Sequence, residues 1–239
     1  MTEAEIKTDL PPPPPSLRSG NARLNDVAYH YLKELLLDGG LEPGDQISAE
    51  TVSKALSISR APASDAIRRL AVDGLLEVRP QIGCRVKLPH PNDIEDFYIL
   101  FAAAEAAIIG LAAARRPADQ VDRLRHVATQ LNNLDDLPLE PKLRAAELRQ
   151  RNRRRYGLLH ELAASPLSTS IAETLWDRSD FYIRVAYQHV GTPAYVRAAH
   201  RELIQAVIDG DTSTAEQTAK TYLTHLGRDI AALFRSDHQ

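Results

Sequence analysis

One stretch limits the possible folds of this chain more than any other, because a helical pattern there runs directly into two short extended segments. It spans Ser57 to Val86 and reads SISRAPASDAIRRLAVDGLLEVRPQIGCRV. Ser59 predicts the start of the helix, since its side-chain oxygen can accept a backbone N–H of the first turn. Pro62 falls in that turn, where its missing donor costs nothing, and Gly74 predicts the helix end. The runs LLEVRP and CRVKLP then predict a hairpin around QIG.

Two further helical patterns precede this stretch. The segment LNDVAYHYLKELLLDGG, from Leu24 to Gly40, has apolar residues at helical spacing and ends in a glycine pair. After the turn LEPGDQIS, the segment SAETVSKALSIS predicts a second helix with Ser48 as its cap. The order helix, turn, helix, tight turn, helix, hairpin predicts a winged helix-turn-helix. In that fold the last helix enters the major groove of DNA and the hairpin forms the wing.

The remainder of the chain predicts helices and no convincing strand. A proline-punctuated linker at 89–92 leads into helical patterns at 93–115, 118–134, 141–164, 166–190, 192–208 and 212–234. Short connections between six helices predict an all-α bundle. The fold class is therefore mostly α, with a winged helix-turn-helix domain at 21–88 and an all-helical domain at 93–236. Residues 1–20, which include PPPPP, predict a disordered tail of extended polyproline conformation.

Composition and charge place few limits on function. The net charge of −3 is compatible with DNA binding, because a DNA-binding module can be locally basic within a neutral chain. Cys84 is the only cysteine, so no intrachain disulfide can form, which fits a reducing cytoplasm. No apolar run approaches the roughly 20 residues of a membrane span, so no membrane contact is expected. The start MTEAEIKTDL is acidic and lacks the apolar core of a secretory signal.

The segments LEPGDQIS, SISRAPASDAIRRLAVDGLLEVRPQIGCRV and AAHRELIQAVIDGD together resemble GntR-type transcription regulators. The second domain is similar to the helical effector-binding (FCD) domain of their FadR-like branch. The resemblance covers about 24–234, and its first motif has the proline, the arginines, the glycine and the wing in family order. It implies a homodimer that binds a palindromic operator in double-stranded DNA and responds to a small-molecule effector. Repression is the usual mode of the family.

The family contacts DNA at the start of the recognition helix and at the wing tip. Carried over, the resemblance implies DNA contacts from Ser59, Arg60, Ala61, Ser64, Arg68, Gln81, Ile82 and Gly83. A guanidinium at a helix start can reach guanine or phosphate, and the unpaired N–H groups beside it favour a phosphate oxygen. Ser64 departs from an arginine that is common in the family, so we expect an altered operator sequence or reduced affinity. The alternative is that Arg60, Arg68 and Arg69 form an ordinary solvated helix face.

Many FadR-like effector domains bind a divalent metal through an Asp-x-x-x-His pair on one helix and two further histidines. In this chain the pair falls on Asn152 and Tyr156 of RNRRRYGLLHELAASPL, and the other ligands fall on His200 and Tyr222. Asparagine and tyrosine are poor zinc ligands, so no metal is expected there. A family arginine that precedes a glutamate falls on Phe101. The resemblance thus implies that these five residues form a pocket for an uncharged or aromatic molecule with hydroxyl groups.

Three alternatives for the second domain remain open. His160, His200 and His225 could form a shifted metal site, which would make the protein a metal-dependent sensor. The pocket could instead be a remnant that is filled by its own side chains. An enzyme built on the helical domain is the third alternative. The sequence shows no Gly-x-Ser-x-Gly motif, phosphate loop, Cys–His pairing or paired catalytic carboxylates, so we expect no catalytic residue and no cofactor.

The basic segment KLRAAELRQRNRRRY predicts the exposed face of an amphipathic helix, whose buried side comprises Leu143, Leu148, Tyr156 and Leu159. The alternative is a second anion-binding surface. Trp176 and the aromatic residues of DFYIRVAY occur at helical spacing, which indicates core or dimer contacts.

Overall fold

The computed structural model describes residues 8–14, 17, 23–79, 83–135, 144–187 and 193–236. These residues form nine helices and one three-stranded sheet. The chain divides into two compact units, which comprise residues 1–88 and 89–239.

The first unit is a winged helix-turn-helix, which confirms the predicted fold class. Its elements are α1 (Leu24–Asp38), β1 (Gln46–Ile47), α2 (Ala49–Leu56), α3 (Arg60–Val72), β2 (Leu76–Arg79) and β3 (Gly83–Val86). β3 lies in the centre of the sheet and pairs antiparallel with both β1 and β2, so Cys84 is opposite Ile47 on one side and Val78 on the other. The sequence predicts only a turn at β1, because a strand of two residues is too short to show alternation.

The ends of the helices in this unit follow from local chemistry. The Ser48 side chain accepts the backbone N–H of Thr51 at the start of α2, as predicted, at 3.1 Å. Gly39 ends α1 with a φ of 85°, in the left-handed region where glycine has no steric penalty. The Ser59 side chain, in contrast, makes no capping hydrogen bond to α3. The predicted side-chain cap of α3 is therefore wrong, although the helix begins at the next residue.

Part of the proline-rich tail packs on α1. Leu10 is buried, and the Tyr31 hydroxyl donates a hydrogen bond to the carbonyl oxygen of Pro11. Burial, together with the nearby carboxylate of Asp9, raises the pKa of Tyr31 to about 12. These contacts add packing that the prediction of a disordered tail did not include. Residues 1–7, 15–16 and 18–20 of the tail lie outside the described residues.

The second unit is a bundle of six helices, as the helical patterns predict. The helices are α4 (Pro91–Arg115), α5 (Ala118–Asp135), α6 (Arg144–Ala163), α7 (Pro166–Tyr187), α8 (Ala194–Asp209) and α9 (Thr212–Ser236). Glycines bring α4 and α9 close together, since a Cβ built at Gly227 would lie 2.4 Å from the Cβ of Tyr98. Between α8 and α9, Gly210 has a φ of 76° and Asp211 accepts the backbone N–H of Thr214 at 3.0 Å.

α4 is the apolar centre of this bundle. It packs against α6, α7, α8 and α9, and Ile94, Phe101 and Ile109 are fully buried. An 18-residue window of α4 has a mean hydropathy of 2.0, so by length and composition alone the helix would also suit a membrane span. The expectation that no apolar segment approaches that length is therefore wrong. Burial of 61% of the window inside the unit explains why the helix is so apolar.

Candidate functional site

The start of α3 is exposed, as a DNA contact requires. Ser59, Arg60 and Ala61 all lie on the surface. Because the Ser59 side chain does not cap the helix, an outside acceptor can approach the backbone N–H groups of the first turn. A DNA phosphate oxygen is an acceptor of the required charge, since the helix dipole favours an anion at this end.

Arg60 is held by a carboxylate of the same unit. Its Nη2 atom lies 2.6 Å from Oε2 of Glu50 at the start of α2, and both side chains are largely exposed. An exposed ion pair of this kind contributes at most about 1 kcal/mol. The guanidinium can therefore exchange Glu50 for a DNA group at little cost. Glu50 was not predicted from the sequence as part of the site.

Ser64 and Arg68 follow Arg60 at helical spacing, so the three residues share one face of α3. Arg68 is exposed and lies 3.2 Å from Asp65. Arg69 has a different position, because its Nη1 atom is 2.7 Å from Asp26 and its guanidinium lies 4.1 Å from the ring centre of Tyr29. These contacts join α3 to α1 and give Arg69 a structural role.

The wing tip is only partly described. Gln81 and Ile82 lie outside the described residues, so their predicted DNA contacts remain predictions. Gly83 is exposed and has a φ of 105°, and a Cβ there would lie 3.2 Å from the carbonyl oxygen of Ile47. The conformation of the backbone and the approach of β1 therefore explain this glycine without DNA. Its contact with DNA also remains a prediction.

The predicted effector residues gather in the interior of the second unit. The hydroxyl groups of Tyr156 and Tyr222 form a hydrogen bond with each other, and the ring of His200 lies edge-on to both tyrosines. Trp176 lies 4.2 Å from Tyr156 and 5.0 Å from Phe101 between ring centres. We refer to these five residues as the aromatic cluster, and all of them are at least nine-tenths buried.

The aromatic cluster leaves almost no empty space. The cavity beside it, which Asn152, His200 and Tyr222 help to line, has a volume of about 10 Å³. That is roughly the space of one water molecule. The amide oxygen of Asn152 accepts a hydrogen bond of 3.1 Å from Arg155. In this structure the predicted pocket is therefore filled by its own side chains, which is one of the three alternatives.

The cluster is also electrically neutral. Burial, and then the positive charge of Arg155, hold the pKa of His200 well below its ordinary value. Burial and the carboxylate of Glu105 raise the pKa of Tyr156, so both side chains are uncharged at neutral pH. The members of the cluster are therefore uncharged, while the charged side chains of Glu105 and Arg155 are buried beside them. The chemistry of the ligand remains a prediction from the sequence.

Two arginines of α6 differ from their prediction. Arg151 and Arg155 are only 5% and 1% exposed, although the basic segment was predicted as an exposed face. The sequence carried a signal for this burial that was missed. The two arginines continue the helical spacing of three and four residues that is set by Leu148, Leu158 and Leu162. The prediction that these two side chains are exposed is therefore wrong.

The three histidines of the alternative metal site do not meet. Nε2 of His160 lies 2.8 Å from Oε1 of Glu105, whereas His200 belongs to the aromatic cluster. His225 is exposed and stacks on Tyr195, with 4.3 Å between the ring centres. In the part of the chain that the structure describes, no group of three or more His, Cys, Asp or Glu side chains could hold a metal. The residues at the family's metal positions do not fit a metal either, since only His200 is a suitable donor.

A larger opening lies on the other side of Tyr156 and Trp176. It is a cleft of about 710 Å³ between α6 and α7, to which Gly157, His160 and Thr169 also contribute. This cleft was not predicted from the sequence. Its only sequence signal is a glycine in the middle of a helical pattern, which often marks a close approach of another group.

Comparison with known proteins identifies both units. Residues 24–86 match the family model described as bacterial regulatory proteins of the gntR family, and residues 96–225 match the FCD domain. The chain belongs to the GntR family and carries an FCD domain. It is a transcription regulator and not an enzyme, which confirms the resemblance seen in the sequence.

The regulator is similar to characterised and uncharacterised relatives over nearly its whole length. It is 23% identical over 232 residues to the uncharacterized HTH-type transcriptional regulator YdfH of Escherichia coli O6:H1. The matched region covers 94% of this chain and 93% of the relative. The HTH-type transcriptional repressor RspR of Escherichia coli K12 is 22% identical, with the same shares covered. The solved structure of E. coli McbR/YncC has a TM-score of 0.69 at 19% identity and covers 90% of this chain and 99% of that one. The structural likeness supports the fold.

Proposed function

We propose that this regulator is a ligand-responsive repressor that acts as a cytoplasmic homodimer on a palindromic operator and leaves it when a small effector binds. The observation that carries the proposal is the exposed first turn of α3, where Arg60 stands beside accessible backbone N–H groups. The similarity to a relative that is named as a repressor supports the mode of regulation. Two-fold symmetry in the protein would match two half-sites in the DNA.

In this proposal α3 lies in the major groove and the wing contacts a neighbouring groove or the backbone. Arg60 exchanges Glu50 for guanine or phosphate, and Arg68 leaves Asp65 in the same way. Ser64 contributes a short hydrogen bond. The full set of proposed contacts is Ser59, Arg60, Ala61, Ser64, Arg68, Gln81, Ile82 and Gly83. Glu50 and Asp65 reduce the local positive charge, so we expect selective binding with little affinity for random DNA.

The effector is proposed to bind in the helical unit through the residues predicted for its pocket, namely Phe101, Asn152, Tyr156, His200 and Tyr222. Because the aromatic cluster is closed, Tyr156 and Tyr222 must separate before a ligand can enter. A ligand hydroxyl could then replace the hydrogen bond that the tyrosines lose. A ligand that binds one dimer geometry better than the other shifts the population away from the DNA-binding form.

Selection of operators from a random pool of DNA duplexes tests this function directly. The enriched sequences should contain two inverted half-sites, and light scattering should report a dimer at micromolar concentration. Fluorescence anisotropy with a full site and with a single half-site then measures what the second half-site contributes. A strict monomer that binds one half-site at full affinity would contradict the proposal.

A further inference from the structure

The cleft between α6 and α7 is large enough to hold a small molecule. Its volume of about 710 Å³ falls within the range of roughly 300–1,000 Å³ that is usual for ligand pockets. The buried side chains of Tyr156, His160 and Trp176 form its floor. Exposed or half-exposed residues of α7, among them Thr169 and Glu173, form its rim.

α6 has a glycine where it borders the cleft. Gly157 lies within the continuous helix Arg144–Ala163 and is among the residues that line the cleft. A Cβ at this position would meet no heavy atom within 4 Å. A glycine inside a helix is about 1 kcal/mol less favourable than alanine. The missing side chain thus leaves room for another molecule to approach the helix backbone.

The floor of the cleft has fixed hydrogen-bonding groups. The two carboxylate oxygens of Glu105 lie 2.8 Å from Nε2 of His160 and 3.1 Å from Nε1 of Trp176. This arrangement leaves Nδ1 of His160 for a further partner, and no bond to that atom is found among the described residues. A hydroxyl group suits Nδ1 in either protonation state of the imidazole, because a hydroxyl can both donate and accept.

The charges at the cleft do not favour an anion. Arg153 is the only arginine or lysine that lines the cleft in the described part of the chain, and it lies 2.7 Å from both Asp177 and Asp180. Glu161 at the rim is paired with Arg123 at 2.6 Å, and Glu173 adds another carboxylate. A carboxylate ligand would therefore face a net negative surface, whereas an uncharged ligand would not.

We infer that the α6–α7 cleft binds an uncharged, flat aromatic compound with a hydroxyl group, and that the effector is first held there. The aromatic part packs against the floor that Tyr156 and Trp176 form, and the hydroxyl bonds to His160. This inference rests on the proposed function for what the ligand regulates.

Tyr156 and Trp176 connect the cleft to the aromatic cluster. The hydroxyl of Tyr156 is bonded to Tyr222, and Trp176 packs on Phe101, so both rings belong to the cleft and to the cluster. A ligand that moves either ring therefore loosens the closed interior. Since the interior is packed, even a small shift must be passed on to neighbouring helices.

Fluorescence of Trp176 provides the test, because it is the only tryptophan of the chain. The probes are 4-hydroxybenzamide, benzamide, which lacks the hydroxyl, and 4-hydroxybenzoate, which carries a negative charge. We expect a saturable fluorescence change with 4-hydroxybenzamide and about fivefold weaker binding of benzamide, through the loss of one hydrogen bond. 4-Hydroxybenzoate should also bind more weakly.

Substitutions of Gly157 locate the site. Gly157→Leu places a side chain in the cleft on a residue that favours helix, and it should abolish the saturable change. Gly157→Ala, as the matched control, should retain it. Circular dichroism and light scattering check that both variants keep the fold and the assembly of the wild type.

The inference is overturned if none of the three probes gives a saturable change, or if Gly157→Leu binds 4-hydroxybenzamide as the wild type does. Titration of the same preparations with the selected operator separates the two proposals. If the protein binds the operator but none of the probes, only the proposed ligand site in the cleft is contradicted. Probe binding without any operator binding contradicts the proposed regulatory function.

Discussion

Arg60 at the start of α3 lies 2.6 Å from Glu50 at the start of α2, and the two side chains are 70% and 73% exposed. The contact joins two consecutive helices of one helix-turn-helix. It places the guanidinium close to the N-terminus of α3, the proposed recognition helix. The pair therefore connects the local fold of the first unit to its proposed contact with DNA.

Replacement of Arg60 should weaken specific DNA binding. Arg60→Ala is expected to cost about 1–3 kcal/mol of operator affinity, since it removes a contact to guanine or phosphate. Wild-type binding should also weaken steeply with salt, because phosphate contacts release counterions. Fluorescence anisotropy with the selected operator measures both effects. Arg125→Ala provides a control, because Arg125 is an exposed arginine of α5 in a similar pair with Asp122.

An unchanged operator affinity of Arg60→Ala would show that the start of α3 does not contact the DNA. If Arg125→Ala weakens binding as strongly as Arg60→Ala, the loss reflects overall charge.

Replacement of Glu50 should have the opposite effect. Glu50→Gln keeps the size of the side chain but removes the carboxylate that competes with DNA for Arg60. It also removes a negative charge from a surface that is proposed to face phosphates. We expect a few-fold tighter operator binding and little change in melting temperature, because an exposed ion pair contributes little to stability. Weaker binding would instead show that Glu50 orients Arg60 for its contact.

The first unit could be predicted from the sequence because its signals are local. Ser48, Gly39 and Gly74 mark helix ends through groups within a few residues, and the hairpin follows directly. The Ser59 cap was the exception, since the sequence shows the residue type but not whether its side chain turns toward the helix.

The proposed effector site could be predicted only in part, because its shape depends on contacts between distant segments. The family resemblance assigned Asn152, Tyr156, His200 and Tyr222 to one pocket, and the structure places them together. Closure of the pocket involves Trp176, which is 71 residues from its partner Glu105. No local sequence pattern shows such a contact between distant residues. The space of the cleft depends in turn on the missing side chain of Gly157.

Two glycines inside helices should respond oppositely to alanine. Gly227→Ala places a Cβ 2.4 Å from the Cβ of Tyr98, where α9 packs on α4, and overpacking of this kind costs about 1–3 kcal/mol. Gly157→Ala meets open space and should stabilise the protein by up to about 1 kcal/mol through its helix propensity. Urea unfolding of the two variants measures both changes. Equal effects of the same sign would contradict the packing described for these helices.

Stability should fall in mild acid because of His200. Burial and Arg155 hold the pKa of His200 well below its ordinary value of 6.5 in the folded protein, whereas the unfolded chain takes up a proton near that pH. Below about pH 6.5 the unfolded state therefore binds more protons, and the free energy of unfolding decreases by about 1 kcal/mol per pH unit from this residue. Above that pH His200 is neutral in both states, so it adds nothing to the dependence of the free energy of unfolding on pH.

The variant His200→Gln isolates this contribution, since glutamine does not titrate. Urea unfolding at about pH 7.5 and about pH 5.5, on either side of the ordinary histidine pKa, should show a smaller acid loss in the variant than in the wild type. The difference between the two proteins is the quantity of interest, because other histidines titrate in both. An identical loss in the two proteins would show that folding does not lower the pKa of His200.

The hydrogen bond between Tyr156 and Tyr222 should appear as an energetic coupling. Tyr156→Phe leaves the buried hydroxyl of Tyr222 without this partner, which costs about 1–3 kcal/mol, and Tyr222→Phe does the same to Tyr156. The double variant removes both hydroxyls and should cost less than the sum of the single changes. Urea unfolding of the four proteins gives the coupling. Additive losses would mean that the two hydroxyls do not depend on each other.

The same hydroxyl should matter for the response to an effector. Tyr156 lies between the cleft and the aromatic cluster, so its loss changes both the surface that holds the ligand and the bond that closes the interior. Operator affinity is measured with and without saturating 4-hydroxybenzamide, and the ratio of the two affinities gives the response. Tyr156→Phe should reduce that response by about 1 kcal/mol, which corresponds to one hydrogen bond. Tyr195→Phe is the matched control, because the Tyr195 hydroxyl donates to Asp229 and the residue does not line the cleft. An equal response in wild type and Tyr156→Phe would show that Tyr156 does not transmit the effector signal, whatever the probe's affinity for the cleft.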